Sequence, residues 1–480
     1  NLQTTVESAM KETMLLNNAK RAWCIVMECE TGNILAWASY PTFDQNTHEE
    51  IPNYTDNISE MSYEPGSVMK TFTYATALDT GVFPENTKYR AGQFDYGYDP
   101  NTGKINRVDG IETGYPTIRD ALGNDYGTLT FEDGFAHSSN VGICELLANY
   151  IQYKQFDKYL DKFGFFQTVD APFISEVTGW KSLDIPMGYL SSGFGQASSI
   201  TVLQLAQAYT AIFNDGKMVK PHVVSAIVDS TTGQPIETYD TEVVGTPITK
   251  ETANKMCTMM RHVLDEGMSG ERFKIDGVDM IAKTGTGEIY DEETHTYSTD
   301  TFTSSIMAAA PYDDPKIMVY WGMISTNYLN YSPIQFQQIM QAALIANNIN
   351  GNEVATKSEE QEGWETYVMP SFINHTISYA QGKYNSMKVQ TVCIGDGSNI
   401  ISQYPVASST VNSNDRIFLL TDGENITMPN MIGWTYRDVA SFCRLAGLTL
   451  QSSGSGIVSA QSIEVGKPIE KNGALAVELS

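Results

Sequence analysis

The stretch Tyr63-Glu64-Pro65-Gly66-Ser67-Val68-Met69-Lys70 constrains the fold more than any other part of the chain. Pro65 and Gly66 punctuate the backbone just before a serine and a lysine three positions apart. The residues that follow, with Phe72, Ala75, Ala77 and Leu78 among them, leave almost no polar side on a helix. A helix apolar all round is a buried helix, so other elements must wrap around this one. Residues i and i+3 share a helix face at about 5–6 Å. Ser67 and Lys70 therefore meet at the mouth of a helix driven into the core. Ser67, in the first turn, also lies beside unsatisfied N–H groups and the positive dipole end, which favour an oxyanion.

A chain of 480 residues is too long for one core, so one large domain plus one or more small ones is expected. The formal charge of −27 argues against nucleic acid, which needs a cationic surface, and against charge-driven binding to anionic lipid. No apolar run of about eighteen residues provides a membrane span. The chain begins at Asn1 rather than Met and reads as a trimmed piece. Cys24, Cys29, Cys144, Cys257, Cys393 and Cys443 form no C-x-x-C and no zinc-spaced cluster with histidine. Most sit in apolar runs and read as core, a disulfide between distant partners being left open; no metal and no cofactor are expected.

Leu2 to Lys20 reads as an amphipathic helix, and Ala22–Cys29 with Ile34–Tyr40 as a hairpin buried on both faces. Residues 80–128, rich in Gly, Tyr, Asp and Asn, read as irregular structure near the catalytic mouth. Helices are expected over Val141–Ile151, Val202–Phe213, Thr249–Glu266 and Ser332–Asn347, and strands over Val278–Thr284, Thr301–Ala310 and Lys316–Ile324. Strands thus come from both ends of residues 1–350 with helices between. One mostly antiparallel sheet covered by helices on both sides is the economical arrangement. Residues 351–364 read as a linker. Beyond it Val368-Met369-Pro370 returns as Thr427-Met428-Pro429, and Gly395-Asp396-Gly397 as Gly454-Ser455-Gly456, both 59 positions later. This divides the remainder into two small modules, 365–423 and 424–480, each with a helix and then strands.

Three short signals carry chemistry: Ser67-x-x-Lys70, Ser138-x-Asn140 and Lys283-Thr284-Gly285. Each alone arises by chance. Together, the first opens a buried helix, the second precedes a helix and the third ends a strand. A serine hydroxyl is a weak nucleophile until a base takes its proton. Lys70 can be that base only when neutral, which requires burial or a nearby cation, and Lys283 is the expected cation. Ser138 can relay a proton to a leaving amine. Asn140 can hold Lys70 with its amide oxygen and a substrate amide with its NH₂. Gly285 allows a substrate backbone to approach the strand, and Thr284 and Thr286 with Lys283 can take a substrate carboxylate. Alternation would put the threonines and Lys283 on opposite faces, so the strand is expected to work along its edge. The backbone N–H groups of Ser67 and Thr286 are the expected oxyanion hole. His137, beside Ser138, is not expected to form a Ser–His pair, because no G-x-S-x-G elbow exists.

Residues 1 to about 350 resemble the transpeptidase domain of class B penicillin-binding proteins. The likeness rests on Tyr63-Glu64-Pro65-Gly66-Ser67, His137-Ser138-Ser139-Asn140-Val141-Gly142, Gly195-Gln196 with Thr201-Val202-Leu203-Gln204, and Ala282-Lys283-Thr284-Gly285-Thr286-Gly287. The C-terminal modules resemble PASTA domains, the second through Met428-Pro429 and Gly433-Trp434; the first lacks the Gly-Trp and reads as degenerate. The resemblance implies an α+β penicillin-binding transpeptidase fold, with a five-stranded sheet, followed by two small α+β domains. It implies a serine D,D-transpeptidase of division-type peptidoglycan synthesis in a Gram-positive bacterium, acylated at Ser67 by stem peptides and by β-lactams. It also implies divisome membrane proteins as partners. The expected location is the extracellular face of the cytoplasmic membrane, with an anchor and pedestal outside this chain. The rivals are a D,D-carboxypeptidase, a β-lactam-hydrolysing or β-lactam-sensing relative, and a non-catalytic scaffold binding cell wall through its repeats.

Overall fold

The computed structural model describes residues 2–43, 54–108, 110–291, 296–326, 331–347, 349, 366–407, 410–413, 415–454, 457–470 and 473–479. The expected linker therefore lies outside the described residues. The chain divides into two compact units, Asn1–Ala355 and Thr356–Ser480.

In the first unit, β1 (Arg21–Glu28), β2 (Ile34–Tyr40), β3 (Ile281–Asp291), β4 (Thr296–Ala310) and β5 (Ile317–Ser325) build one sheet in the order β3-β4-β5-β1-β2. Every pairing in it is antiparallel. The unbroken apolar run in β1 follows from cores on both faces. Trwo-residue alternation sends Trp23, Ile25 and Met27 to one core with Phe72 and Tyr320. It sends Cys24 and Val26 to the other with Trp321 and Phe336. On β2 the expectation of two buried faces fails. Ala36, Ala38 and Tyr40 are buried but Ile34, Leu35, Trp37 and Ser39 are only partly so, because β2 is a sheet edge.

Helices Leu2–Leu16 and Ile334–Ala346 cover the Trp321 face through Val6, Met10, Phe336 and Met340. Helices Lys70–Asp79, Asn140–Asn149, Val202–Phe213 and Lys250–His262 pack into the core of the Tyr320 face. Met256, Met259 and Met260 are buried there, as expected of a core stripe. Residues 80–128 are more regular than expected. Lys88–Arg90 pairs with Thr128–Thr130, and Tyr96–Asp99 with Lys104–Arg107, while Phe94, Tyr96 and Ile118 enter the core. Such short strands show too few alternations to be read from sequence.

In the second unit, helix Ile377–Ser386 precedes a sheet in which Gln390–Ile394 runs parallel, and Ile400–Tyr404 antiparallel, to Arg416–Thr421. Helix Tyr436–Ala446 precedes a sheet in which Thr449–Gly454 runs parallel, and Val458–Gln461 antiparallel, to Ala474–Leu479. The repeat in the sequence is thus a repeat of one topology. The missing Gly-Trp is accommodated in the same turn. Asn374 takes the place of Gly433, at φ 66° against 80°, and Asn is one of the few residues that accept this region. His375 takes the place of Trp434 and stacks on Tyr379, centroids 4.2 Å apart. One cluster spans the two repeats, with Ile394, Tyr404 and Phe418 packing against Met428, Trp434, Phe442 and Val477, while Phe372, Ile400, Ile417 and Leu419 form a second cluster within the first repeat. Arg416 lies over the Trp434 ring at 4.6 Å and pairs with the buried Asp438.

All six cysteines are free; Cys393 is exposed and the other five are buried. Among the described residues no helix is long and apolar enough to cross a membrane.

Candidate active site

A 3₁₀ turn, Gly66–Met69, carries Ser67 and leads directly into helix Lys70–Asp79, of which Lys70 through Ala77 are all buried. Phe72 anchors the helix with edge contacts to Phe163, Phe165 and Tyr209. The Tyr209 hydroxyl donates to the Val68 carbonyl at 2.8 Å and so pins the serine turn itself. Gly66 sits at φ +63°, donates its N–H to the Gly195 carbonyl at 2.9 Å, and faces β3 so closely that a Cβ would lie 2.5 Å from the Thr286 carbonyl oxygen. This approach sets the serine turn against the peptide that joins Thr286 to Gly287. Gly285 also has a packing task beyond the one expected. Its missing Cβ would lie 2.3 Å from Ser305 Oγ and 3.1 Å from a Val68 methyl, so the glycine admits the neighbouring strand and the serine turn.

Ser138 is the centre of the polar network. Lys70 Nζ donates to its carbonyl and, at 3.3 Å, to its Oγ. Lys283 Nζ donates at 2.8 Å to the same Oγ and at 3.0 Å to the Thr284 carbonyl. Ser138 holds φ 61°, a conformation non-glycine residues keep only when the surroundings impose it. Those surroundings are Ser139 and Asp120. Ser139 Oγ donates to Asp120 Oδ1 at 2.9 Å and caps the next helix by accepting the Gly142 N–H at 3.0 Å. Asp120 is buried and also accepts the N–H groups of Val141 and Gly92, each at 3.0 Å.

Two expected roles are corrected here. Asn140 does not hold Lys70: its Nδ2 donates to the Arg119 carbonyl at 2.8 Å, and Ser138 takes the lysine instead. Lys283 is not the main reason for a neutral Lys70. Burial is the first cause that lowers the Lys70 pKa to about 7, with Asp120 and then Cys144 working against it. Lys283 is itself pushed well below the usual lysine range, by burial and then by Lys70. The two ammonium groups compete for charge in one dry site.

Ser67, Ser138, Asn140, Thr284 and Thr286 line a common open cleft of about 740 Å³. Lys70 and Lys283 are buried behind it. Thr284 Oγ1 reaches Ser269 Oγ at 3.3 Å, and Ser269 is tied to the Ala136 carbonyl at 2.7 Å. β3 is a sheet edge, as the strand's expected mode of use requires. No hydrogen bond joins Ser67 Oγ to Lys70 among the described residues. His137 stacks on Tyr126 with centroids 4.6 Å apart. Among the described residues no group of three or more His, Cys, Asp or Glu is gathered to hold a metal.

Asp120 and Ser269 escaped sequence reasoning, and no local signal marks either. Ser139 could have been found: a serine directly before an apolar helical run is an N-cap signal. Asp120→Ala is expected to lower unfolding stability by about 1.5–3 kcal/mol, the range for hydrogen bonds to a charged group. It should also move the rise of acylation with pH to lower pH, because the Asp120 charge holds the Lys70 pKa up. Thermal unfolding and a pH series of penicillin acylation check both; an upward move of the profile would contradict the account.

A serine and two lysines, gathered where a sheet edge meets the mouth of a buried helix, define a serine–lysine site. Residues 22–351 match the penicillin binding protein transpeptidase domain, and residues 426–480 match the PASTA domain. The chain belongs to the penicillin-binding protein transpeptidase family. It is 26% identical over 449 residues to stage V sporulation protein D of Bacillus subtilis, covering 88% of this chain and 66% of that one. It is 28% identical over 331 residues to penicillin-binding protein PbpB of Mycolicibacterium smegmatis, covering 66% of this chain and 48% of that one. The chain thus spans about two thirds of the first relative's length and about half of the second's. A crystal structure of penicillin binding protein 2X from Streptococcus thermophilus aligns with a TM-score of 0.63 at 26% identity, covering 100% of this chain and 70% of that one. One of penicillin binding protein 3 from Mycobacterium tuberculosis, complexed with aztreonam, aligns at 0.62 and 23% identity, covering 72% and 78%, a likeness of fold.

Proposed function

We propose that this chain is the catalytic part of a peptidoglycan D,D-transpeptidase that works through a Ser67 acyl-enzyme. The observation that carries this reading is Ser138 Oγ, held within hydrogen-bond reach of both Lys70 and Lys283 beside a cleft that exposes Ser67. Neutral Lys70 takes the Ser67 proton as Oγ attacks the D-Ala-D-Ala carbonyl carbon. The oxyanion is held by the N–H groups of Ser67 and Thr286. The proton passes through Ser138 to the leaving amine, the C–N bond breaks and D-Ala departs. An amine of a neighbouring stem peptide then attacks the ester, and Ser67 regains its proton. Thr284, Thr286 and Lys283 receive the terminal carboxylate, whose arrival restores the Lys283 charge. Asn140, on the cleft wall, orients the substrate amide.

A β-lactam carbonyl would enter the same sequence and stall at the ester. Intact-mass spectrometry after penicillin treatment, with peptide mapping and the decay rate of the adduct, tests this. The expected result is one slowly lost penicilloyl group on the peptide carrying Ser67. An adduct elsewhere, or none, overturns the mechanism; fast turnover transfers the reading to a hydrolase.

The relatives' printed names, a sporulation protein and a penicillin-binding protein, support a place in cell-wall synthesis; septal synthesis at the extracellular face of the cytoplasmic membrane of a Gram-positive bacterium, with divisome membrane proteins as partners, is part of the same proposal. We assign residues 1–350 to the transpeptidase domain, 351–364 to a linker, and 365–423 and 424–480 to the two repeats. The shared topology and the matching Asn374-His375 turn support reading residues 365–423 as a diverged PASTA copy. The cluster that spans them favours positioning over independent cell-wall binding for these repeats.

A further inference from the structure

Glu64 stands three residues before Ser67 and has no part in the proton transfers above. Its Oε1 accepts the Ala197 N–H at 3.0 Å and the Tyr297 hydroxyl at 3.1 Å. Its Oε2 is sealed from solvent with no hydrogen-bond partner among the described residues. Three segments distant in sequence therefore meet on one carboxyl: the serine turn, the Gly195–Ala197 loop and the start of β4.

The loop needs such a tie. Gly195 holds φ 86° and Ala197 φ 66°, and a non-glycine residue keeps that conformation only when its surroundings over-determine it. A Cβ on Gly195 would lie 2.0 Å from the Gly66 carbonyl oxygen, so the loop presses directly on the serine turn. Between the two, Gln196 lines the cleft and reaches Glu288 at 3.5 Å. Burial raises the Glu64 pKa to about 7 against the pull of its Tyr297 and Ala197 bonds, with Glu288 adding to the rise. A carboxyl is thus retained at a place where desolvation works against its charge.

We propose that Glu64 is a positioning residue for acyl transfer: it locks the Gly195–Ala197 loop and the Tyr297 end of β4 onto the serine turn, so that Gln196 and Thr286 keep their places around Ser67. This rests on the transpeptidase reading. The test is the saturation kinetics of labelled-penicillin acylation, split into the binding constant and the first-order acylation rate, with thermal unfolding measured alongside. Glu64→Ala is expected to lower the first-order rate by about tenfold to a hundredfold, the scale of a misplaced reacting group. Tyr297→Phe, which removes one of the two donors, lowers it by about threefold. Glu64→Gln keeps the Oε1 acceptor and restores most of the rate. An unchanged first-order rate in Glu64→Ala overturns the proposal, as does a loss no larger than the loss of folded protein. If Glu64→Ala does not fold, the exposed Tyr297 decides: a wild-type rate in Tyr297→Phe overturns it. A wild-type protein that takes no penicillin at Ser67 refutes the transpeptidase reading instead, and this proposal with it.

Discussion

With Lys70→Ala, acylation of Ser67 by penicillin is expected to fall by about 10²–10⁴-fold, the usual worth of a general base. The second lysine of the network, Lys283, is committed to Ser138 Oγ and the Thr284 carbonyl. The sign of the pH dependence follows from burial. With its pKa lowered to about 7, Lys70 is protonated and useless as a base in acid and becomes neutral as the pH rises through that value. Wild-type acylation should therefore climb across neutrality, and the variant should lose that climb. Rapid-mixing acylation of folded protein, checked by circular dichroism, measures both. A variant that keeps the wild-type rate and profile would move the base to Lys283.

Gly66→Ala is expected to lower the acylation rate by about 10²–10³-fold, comparable to losing an oxyanion-hole donor, while the helix behind the serine stays folded. Two costs coincide at this residue. The backbone stands at φ +63°, and a Cβ would meet the Thr286 carbonyl oxygen at 2.5 Å, its carbon at 2.8 Å and the Gly287 nitrogen at 3.1 Å. All three obstacles are backbone, so the serine turn and the strand edge must separate. That separation parts the two N–H groups proposed to hold the oxyanion. Gly81 supplies the control: it has φ +71° with nothing within 4 Å of a Cβ. Gly81→Ala should therefore cost about 1–2 kcal/mol of stability and leave acylation untouched. Equal rates in the two variants would mean that strain alone, and not the collision with β3, governs the site.

Much of this arrangement is legible in the chain. The continuous apolar run of β1 announces a strand with a core on each face, and the two cores are there. The all-apolar helix after Ser67 announces its own burial, and Lys70 goes into the core with it. What escaped depends on which of several nearby groups wins a hydrogen bond. Asn140 and Ser138 are both suitable partners for an ammonium group, and only the left-handed turn at Ser138 decides between them. The packing task of Gly285 is invisible in the pattern, because Ser305 and Val68 behind it are brought there by tertiary packing. Asp120 comes from a stretch whose strands are too short for periodicity, so nothing local separates it from a surface carboxylate.

The cluster that spans the two C-terminal repeats couples their folding. Phe418 and Tyr404 find part of their cover in the partner repeat, and Arg416 finds its carboxylate there. The first repeat therefore draws part of its stability from the second, beside its own cluster around Phe372, Ile400 and Leu419, and the two are expected to unfold together. Deleting the second repeat would strip a sheet face of the first and leave an aggregation hazard. The tryptophan that packs between the repeats, Trp434, is contributed by the second one, and the first carries Asn374-His375 at the matching turn without one of its own.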